Sequence, residues 1–432
     1  MFINFQDIEE FMNSRRKFGI KPGLKRMNYL LDRLHHPERY FKSIHVAGTN
    51  GKGSTIQFMK KALMANGHRV GVFTSPSLSG LTGHIWCNGQ KIETREWVSL
   101  MNDIYPIITE LDKKGIHLTS FEIITAIVFV YFSKHVHIAL IETGMGGRFD
   151  TTNCLDPIVT IITNVTRDHT RFLGKSLADI AYHKAGIIKQ NIPVILGNIN
   201  KDIISIIQQE AKDKNASIYQ LFTHFTYTNV HIDSYSQRFL WKYGEQKRHV
   251  DIVMSGMHQI ENASIAMMGI SILNNLGIGI DWGLTLKGMF ETTLPGRFEI
   301  VQQKPRIILD GAHNQAGIES FIKTVHAYYP TEKKHVLFAA YKDKDVRTML
   351  TALSTSFQSI TLTSFADARA ASADWLYSQT PVHNKRKIME WKDAVIQIES
   401  GQGCISDKDI YFVTGSLAFI TQVRSFILSQ KE

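Results

Sequence analysis

Several segments of this sequence carry residues whose types and spacing suit the binding of phosphate groups. An apolar run from Ser43 to Ala47 leads into the glycine-rich segment Gly48-Thr49-Asn50-Gly51-Lys52-Gly53-Ser54, and a helical pattern follows. Glycines allow backbone N–H groups to turn towards an anion, the start of a helix favours negative charge, and the lysine adds a full positive charge. The spacing differs from the common GxxxxGK(S/T) pattern, because a valine takes the first glycine position and an extra glycine separates the lysine from the serine. In this strand-to-helix context we predict a nucleotide phosphate site, the alternative being an ordinary glycine-rich turn.

Two later strand ends carry candidate ligands for a metal ion. Glu142 ends an apolar run and precedes the glycine-rich segment Thr143 to Asp150, and Asp168-His169 follow the next apolar run. A carboxylate beside a glycine-rich loop is well placed to hold Mg²⁺ near phosphates, since Mg²⁺ prefers oxygen ligands. The alternatives are a helix cap or a surface charge for Glu142 and a structural role for His169. We predict a metal or substrate site here.

In two further segments the residue types alone do not indicate a function. Lys184 lies in the segment Lys184 to Lys189, whose composition indicates only a solvated lysine. The segment Asp310-Gly311-Ala312-His313-Asn314 repeats the strand-end pattern in the last third of the chain. Asn314 is also a good cap for the following helix, so function and capping both fit this segment.

Apolar strands alternate with helical stretches along most of the chain, which predicts βαβ units and a mainly parallel sheet. Because the carboxyl ends of parallel strands meet at one edge, the polar residues after those strands should converge there. The Pro-Gly pair at 295–296 interrupts the pattern, and the alternation restarts beyond it. We therefore predict an α/β protein with a mainly parallel-sheet P-loop ATPase domain at residues 1–295 and a smaller Rossmann-like domain at residues 296–432. We also predict a polar loop from Ser75 to Lys91 and an antiparallel hairpin near Arg238 to Val253 that joins the first sheet.

Charge and cysteine content restrict the class of protein. The formal net charge is +10, from 49 basic and 39 acidic residues, and it is dispersed along the chain. Anionic small-molecule substrates explain this excess at least as well as nucleic acid does. Cys87, Cys154 and Cys404 form no CxxC pair, so neither a zinc site nor a disulfide framework is indicated. The first residues lack a signal-peptide pattern and the longest apolar run, Ile123 to Phe132, is too short to span a bilayer, so we expect a cytoplasmic protein without a membrane partner.

Taken together, these residues resemble the folylpolyglutamate synthase and dihydrofolate synthase family of the Mur ligase superfamily. The resemblance extends over nearly the whole chain, and so many ordered matches are hard to obtain by chance. The matching segments are Lys21 to Leu24, His45 to Ser54, Thr74 to Pro76, Glu142, Gly144 to Asn153, Ile162 to Val165, Asp168-His169, Leu173-Gly174, Ala181 to Ile187, Gly256 to Gln259, Asn262-Ala263, Leu294 to Glu299, Asp310 to Asn314, Asp343 to Asp345 and Thr414 to Leu417.

The resemblance implies roles for individual residues and two cofactors, ATP and Mg²⁺ at two sites. The implied metal ligands are Ser54, Glu142, His169 and Lys184, the last as a carbamate that supplies anionic oxygens to the second magnesium. The implied ATP-binding residues are Gly48 to Ser54, Asn262, Arg297 and Asp310. The implied catalytic residues are Lys52, His169, Lys184 and His313, with Asp310 and His313 closing from the second domain. The implied substrate loop contains Ser75, Pro76, Ser77 and His84.

The implied reaction adds L-glutamate to a folate, either dihydropteroate or a tetrahydrofolate polyglutamate. The substrate carboxylate attacks the γ-phosphate of ATP to give an acyl phosphate, and the amino group of L-glutamate then displaces phosphate. Mg²⁺ and Lys52 would neutralise charge on the transferred phosphoryl group, while domain closure would orient the amine and exclude water. The expected partners are the folate or pteroate and L-glutamate, and we expect a monomer that does not bind nucleic acid.

The sequence departs from the family pattern at three positions. Family members commonly have Ser-Pro-His-Leu followed by a Glu-Arg-Ile segment, whereas this chain has Ser75 to Leu78 and Gly83-His84-Ile85. An acidic residue usually precedes the carbamylated lysine, whereas this chain has His183. The first two departures lie in the loop that the family uses near the folate. They leave a same-fold paralogue that amidates a different carboxylate as one alternative.

A second alternative comes from a different class of protein. The basic net charge allows a nucleotide-gated nucleic-acid-binding protein. The dispersed charge and the lack of a basic–aromatic cluster in the sequence count against this hypothesis.

Overall fold

The computed structural model describes residues 1–77, 79–233, 235–380, 384–400 and 409–430. Leu78 and Cys404, both considered above, lie outside these ranges. The chain divides into two compact units. The first unit contains Met1–His231, Arg238–Ile252 and Glu261–Thr292, and the second contains Ile232–Gln237, Val253–Ile260 and Thr293–Glu432. The boundary between residues 295 and 296 stays a prediction for independently folding domains.

An eight-stranded sheet organises the first unit, in the order β4-β3-β2-β5-β1-β6-β7-β8. Its strands are β1 (Lys42–Ala47), β2 (Val70–Phe73), β3 (Ile85–Cys87), β4 (Gln90–Lys91), β5 (Ile138–Glu142), β6 (Val159–Ile162), β7 (Val194–Leu196) and β8 (Ile218–Gln220). Only β3 and β4 run antiparallel to their neighbours among these described strands. The predicted mainly parallel sheet is therefore confirmed. The prediction of a loop throughout Ser75 to Lys91 was wrong, because β3 and β4 extend the sheet there.

Ten α-helices carry residues of the first unit within the described ranges. They are α1 (Phe5–Ser14), α2 (Lys25–Arg33), α3 (Lys52–Ala65), α4 (Thr94–Lys113), α5 (Ser120–His135), α6 (Thr170–Leu173), α7 (Leu177–Ala185), α8 (Ile204–Asp213), α9 (Met257–Asn275) and α10 (Trp282–Phe290). Helices α1, α2, α4 and α5 pack with β2 and β5 in one apolar cluster. Helices α7 and α8 pack with β6 and β7 in another. Burial of these apolar faces fixes where the strand ends lie.

A separate three-stranded sheet follows β8, in the order β11-β10-β9. Its strands are β9 (Phe225–Ile232), β10 (Gln237–Tyr243) and β11 (Gln246–Ile252). The predicted hairpin is present, with Gly244 at φ +53° in its turn. The prediction that it joins the first sheet was wrong, because these three strands form a sheet of their own. Phe239 and Trp241 of β10 are fully buried.

The second unit contains a six-stranded sheet in the order β12-β13-β17-β14-β15-β16. Its strands are β12 (Glu299–Gln303), β13 (Arg306–Leu309), β14 (Lys334–Phe338), β15 (Ser359–Ser364), β16 (Lys385–Glu390) and β17 (Ile410–Thr414), and its helices are α11 (Gln315–Tyr328), α12 (Val346–Ser354), α13 (Ala373–Gln379), α14 (Trp391–Glu399) and α15 (Leu417–Ser429). Strand β12 is antiparallel to β13, and the other pairs are parallel. Helices α11 to α13 cover one face and α14 and α15 the other. This is the predicted second α/β layer structure.

No helix among the described residues is both long enough and apolar enough to cross a membrane.

Candidate active site

The predicted phosphate loop lies at the centre of the first sheet. Strand β1 pairs with β5 on one side and β6 on the other, and the loop connects β1 to α3. The side-chain oxygen of Asn164, just after β6, accepts hydrogen bonds from the backbone N–H groups of Asn50 and Thr49, at 2.9 and 3.2 Å. Thr163 Oγ1 donates to the carbonyl of Asn50 at 2.6 Å. The neighbouring strand end therefore holds the loop in place.

Two glycines of this loop permit contacts that a larger residue would prevent. A Cβ on Gly48 would lie 1.8 Å from Thr163 Oγ1. Gly51 has φ +85°, and a Cβ there would lie 2.3 Å from Asn262 Oδ1. The close approach brings Asn262, from α9, against the loop at the start of α3. The structure thus brings together two predicted ATP-binding segments that are far apart in sequence.

Lys52 and Glu142, predicted from separate motifs, lie next to each other. Lys52 Nζ is 3.7 Å from Glu142 Oε1 and donates to the carbonyl oxygens of Gly48 and Thr49, at 3.1 and 3.4 Å. The backbone N–H of Ser75 donates to Glu142 Oε2 at 3.4 Å. Parallel pairing of β5 with β1 and β2 explains this convergence, because the three strands end at the same edge.

Lys184 is almost completely buried, with 2% of its surface exposed, near the end of α7. Burial and the nearby charge of Lys52 lower the pKa of this amine to about 7, against the opposing influence of Asp168 and Asp150. The expectation of a solvated lysine from composition was wrong. Since burial disfavours the ammonium form, the amine at this position is readily neutral.

The glycine-rich segment after β5 packs against the last turn of α7. The backbone N–H of Arg148 donates to the carbonyl of His183 at 2.6 Å. A Cβ on Gly147 would lie 2.9 Å from that same carbonyl oxygen. Buried Asp150 accepts hydrogen bonds from the N–H of Met145 at 2.8 Å and of Thr152 at 3.0 Å, which fixes the loop. These contacts place Lys184 beside the segment that begins with Glu142.

His169 occupies a different environment from the other predicted metal ligands. It is exposed, has φ +51°, precedes the short helix α6, and its backbone N–H donates to Asp168 Oδ1 at 2.7 Å. Ser54, by contrast, is buried in the first turn of α3. In the part of the chain that the structure describes, no three His, Cys, Asp or Glu side chains form a ready metal-binding cluster. A metal site here would therefore need hydroxyl, carbamate or phosphate oxygens in addition.

The predicted substrate loop begins at β2 and contacts Glu142 through Ser75. The Ser75–Pro76 bond is cis, and Ser77 Oγ accepts from the N–H of Ser79 at 3.1 Å. His84 is hydrogen-bonded through Nδ1 to the carbonyl of Thr74 at 2.8 Å, and burial lowers the pKa of its imidazole. His84, which takes the arginine position of the family's Glu-Arg-Ile segment, is thus a half-buried, neutral residue that braces this loop, and Gly83 takes the glutamate position.

An aromatic group that sequence analysis missed lies beside this loop. Phe121, at the start of α5, stacks on Phe73 with ring centroids 5.7 Å apart, and Phe73 lies 6.2 Å from the ring of His84. A Cβ on Gly144 would lie 2.6 Å from the Phe121 ring. Nothing in the apolar pattern of α5 distinguishes Phe121 from core residues, so its position beside the Glu142 loop became visible only in the structure.

The remaining predicted residues lie in the second unit. Asp310 is buried at the end of β13 and accepts hydrogen bonds from the N–H groups of Phe298 and Ala312, at 3.0 and 2.9 Å. Burial raises the pKa of this carboxyl, and the charge of Arg297 opposes that change. His313 Nδ1 is hydrogen-bonded to the carbonyl of Gly311 at 2.8 Å. Asn314 accepts from the N–H of Gly317 at 2.8 Å, so the capping role is confirmed.

His258, a half-buried histidine of the second unit, was not singled out by its residue type. Burial and the charge of Arg297 lower the pKa of His258 to about 4. Its Nδ1 is buried without a hydrogen-bond partner among the described residues. His258 lies in the Gly256 to Gln259 match named above, and only its burial next to Arg297 separates it from an ordinary helix residue.

Comparison with known proteins places this geometry in a family. Residues 46–269 match the Mur ligase middle domain, and residues 296–417 match the Mur ligase glutamate ligase domain. The dihydrofolate synthase/folylpolyglutamate synthase of Bacillus subtilis is 37% identical over 98% of this chain and 99% of its own length. The chain belongs to this family of Mur ligases.

Further relatives support the assignment over the full length. The folylpolyglutamate synthase of Lacticaseibacillus casei is 28% identical over 99% of this chain and 100% of its own. The crystal structure of Mycobacterium tuberculosis folylpolyglutamate synthase complexed with ADP and AMPPCP has a TM-score of 0.90 at 26% identity, over 98% of each chain. In this Mur ligase the phosphate loop, Glu142 and Lys184 lie in the middle-domain match, and Arg297, Asp310 and His313 lie in the glutamate ligase match.

Proposed function

We propose that this Mur ligase joins L-glutamate to the carboxylate of a folate in an ATP-dependent reaction. The acceptor is dihydropteroate, a tetrahydrofolate that already carries glutamate, or both. One observation carries the proposal. A chain related over its whole length to such synthases brings Lys52, Glu142 and buried Lys184 together beside a preformed phosphate loop. Each of these groups suits phosphoryl transfer from a nucleotide to a carboxylate.

Binding of ATP is assigned to the loop and to two residues outside it. The N–H groups of Gly48 to Ser54 and the first turn of α3 would bind the phosphates, and Lys52 would neutralise their charge. Asn262 and Arg297 are assigned contacts with the nucleotide, together with Asp310. The similar synthase of M. tuberculosis has been crystallised in complex with ADP and AMPPCP.

The residues present fit the magnesium ions that the family implies. Glu142 and Ser54 are buried oxygen donors beside the loop, and phosphate oxygens of ATP would complete the set that Mg²⁺ prefers. His169 is assigned the remaining ligand position at the first site. The bound ions would supply charge neutralisation at the transferred phosphoryl group.

The burial of Lys184 beside the loop that follows Glu142 supports its carbamylation. A neutral lysine amine adds to carbon dioxide, which forms a nitrogen–carbon bond and releases one proton. The resulting carbamate is an anion with two oxygen donors, and it replaces a buried ammonium that Lys52 would repel. We propose that this carbamate binds the second magnesium ion.

The chemistry divides into two steps with balanced atoms. An oxygen of the acceptor carboxylate forms a bond to the γ-phosphorus of ATP, and the bond to the β–γ bridging oxygen breaks to release ADP. The amine of L-glutamate then bonds to the acyl carbon, loses a proton, and phosphate leaves with the oxygen that came from the acceptor. Lys52 stabilises charge on the phosphoryl group, and His313 is assigned contact with the reacting groups.

Phosphate release from ATP tests this function directly. Purified protein is supplied with L-glutamate and dihydropteroate, tetrahydrofolate or no acceptor. We expect release that depends on both glutamate and at least one folate. The departures at Ser77 and Gly83-His84 leave one alternative, a paralogue that amidates another carboxylate. Activity with neither folate would exclude our proposal in favour of that paralogue.

A further inference from the structure

The segment before helix α2 is strongly basic. Residues 15–26, which we call the basic segment, contain no acidic residue, and the first acidic residue after them is Asp32. Their six basic residues are Arg15, Arg16, Lys17, Lys21, Lys25 and Arg26. The segment includes the Lys21 to Leu24 match, to which the proposed function assigns no role.

Two of these basic residues form ion pairs with acidic residues of the same chain. Arg15 is buried and forms a salt bridge with Asp112. Arg26 Nε donates to the buried carboxylate of Glu122 at 2.9 Å, and its Nη2 donates to the carbonyl of Lys21 at 2.7 Å. These contacts hold both ends of the basic segment in place.

The other four basic residues form no salt bridge within the described ranges. Arg16, Lys17 and Lys25 are exposed, and Lys21 is half-buried. The Nζ atoms of Lys17 and Lys21 lie 5.2 and 5.0 Å from the centre of the Phe18 ring. That ring stacks on His117 at 4.8 Å, so it is a fixed platform for two lysines.

The basic segment is joined to the candidate active site by a direct contact. The backbone N–H of Gly23 donates to the carbonyl of Phe149 at 3.0 Å. Phe149 belongs to the glycine-rich loop that starts after Glu142, and Gly144 of that loop packs against Phe121. Lys21 and Lys25 flank Gly23 by two residues on each side. The backbone that carries these two lysines is thus anchored to the loop that follows Glu142.

An oligo-γ-glutamate tail carries a series of carboxylates, which this basic surface would bind. Each γ-linked glutamate keeps a free α-carboxylate, so every addition increases the negative charge of the acceptor by one. Fixed cations beside the site would attract such a chain more strongly as it grows. A monoglutamate acceptor has fewer carboxylates to place there.

We propose that the basic segment binds the α-carboxylates of the acceptor's oligo-γ-glutamate tail, through Lys21 and Lys25 in particular. This inference rests on the proposed function and adds a tail-binding subsite to it. The lysines act by binding the tail and not by chemistry at the phosphoryl group. They would therefore change the KM of the acceptor and leave kcat unaltered.

The test compares acceptors of different tail length. Steady-state KM and kcat are measured with mono- and tetraglutamylated tetrahydrofolate for the wild-type protein and for Lys21→Gln/Lys25→Gln. The control is Lys201→Gln/Lys247→Gln, which removes the same charge from exposed positions elsewhere in the first unit. We expect a lower KM for the tetraglutamate in the wild type and the control. In the test variant the ratio of tetraglutamate to monoglutamate KM should rise roughly tenfold, since two partly exposed ion pairs are lost.

Several outcomes would overturn this inference while the proposed function stands. They are an equal KM for both acceptors in the wild type, no activity with the tetraglutamate, and the same KM ratio in the test and control variants. Absence of activity with every folate would instead refute the proposed function.

A binding measurement keeps the inference testable if the double variant does not fold. Free tetra-γ-L-glutamate should inhibit the wild type competitively against the tetraglutamylated acceptor, and added salt should weaken that inhibition. A short oligodeoxynucleotide of equal charge serves as the second polyanion. Inhibition by the oligonucleotide alone, or by neither polyanion, would contradict the assignment of a glutamate tail.

Discussion

Replacement of Gly51 by alanine tests how the phosphate loop is built. Gly51 has φ +85°, and an added Cβ would lie 2.3 Å from Asn262 Oδ1 and 3.2 Å from its Cγ. Two effects therefore add. A non-glycine residue in the left-handed region loses about 1–2 kcal/mol, and forcing Asn262 away from the loop costs about a further 1–3 kcal/mol. Gly51→Ala should reduce the free energy of unfolding by about 2–5 kcal/mol.

Gly67 provides a matched control for the backbone effect. It has φ +79° just beyond the other end of α3, and a Cβ there would meet nothing within 4 Å. Gly67→Ala should therefore lose only about 1–2 kcal/mol and keep the wild-type KM for ATP. Gly51→Ala should raise that KM at least about tenfold, because it displaces Asn262 and the loop together.

Urea unfolding and steady-state kinetics measure both quantities in the two variants. In Gly51→Ala/Asn262→Ala the steric conflict is removed, so part of the lost stability should return while ATP affinity stays low. Equal losses of stability in the two single variants, with KM for ATP unchanged in both, would refute the argument that Asn262 packs against the loop.

Three further predictions concern other parts of the first unit. Lys184→Ala should lose at least about 100-fold in activity and regain part of it with added short carboxylates. The control Lys175→Ala, which replaces an exposed lysine, should keep its activity. Full activity of Lys184→Ala would contradict the carbamate assignment. Burial beside Lys189 lowers the pKa of His45 to about 3, so its contribution to stability is complete above pH 6.5 and is lost as the pH falls towards 3. Between pH 7 and pH 5 the wild type should lose about 2 kcal/mol more unfolding free energy than His45→Gln, and parallel losses in urea titrations would show that His45 does not bind the extra protons. Phe121→Ala should raise the KM for the folate acceptor about twofold to tenfold and leave the KM for ATP unchanged, and the reverse pattern would place Phe121 on the nucleotide side.

The strand-end residues were predictable because parallel sheets impose a simple rule. Glu142 ends β5 and the phosphate loop follows β1, which pairs with β5. Their convergence therefore required only the correct assignment of these two strands. The same reasoning predicted Asp310 at the end of β13. In each case the apolar run is long enough to identify the strand, and the polar residue directly follows it.

Other features depend on packing that no local pattern encodes. The sequence around Lys184 is typical of a surface lysine, and its burial results from packing of α7 against the loop that contains Gly147. Phe121 belongs to an apolar helix and differs from its neighbours only in facing Gly144. The sheet formed by β9 to β11 has strand-like alternation, but whether it joins the larger sheet depends on burial of Phe239 and Trp241, which is a long-range property.

Transfer of an oxygen isotope tests the central claim most directly. The acceptor folate is labelled with ¹⁸O in its reacting carboxylate, and the phosphate released with ATP and L-glutamate is analysed by mass spectrometry. We predict one ¹⁸O atom in each phosphate and one glutamyl residue added to the acceptor for each phosphate released. Unlabelled phosphate, or phosphate release without growth of the acceptor, would contradict the claim that this chain activates a folate carboxylate for amide formation.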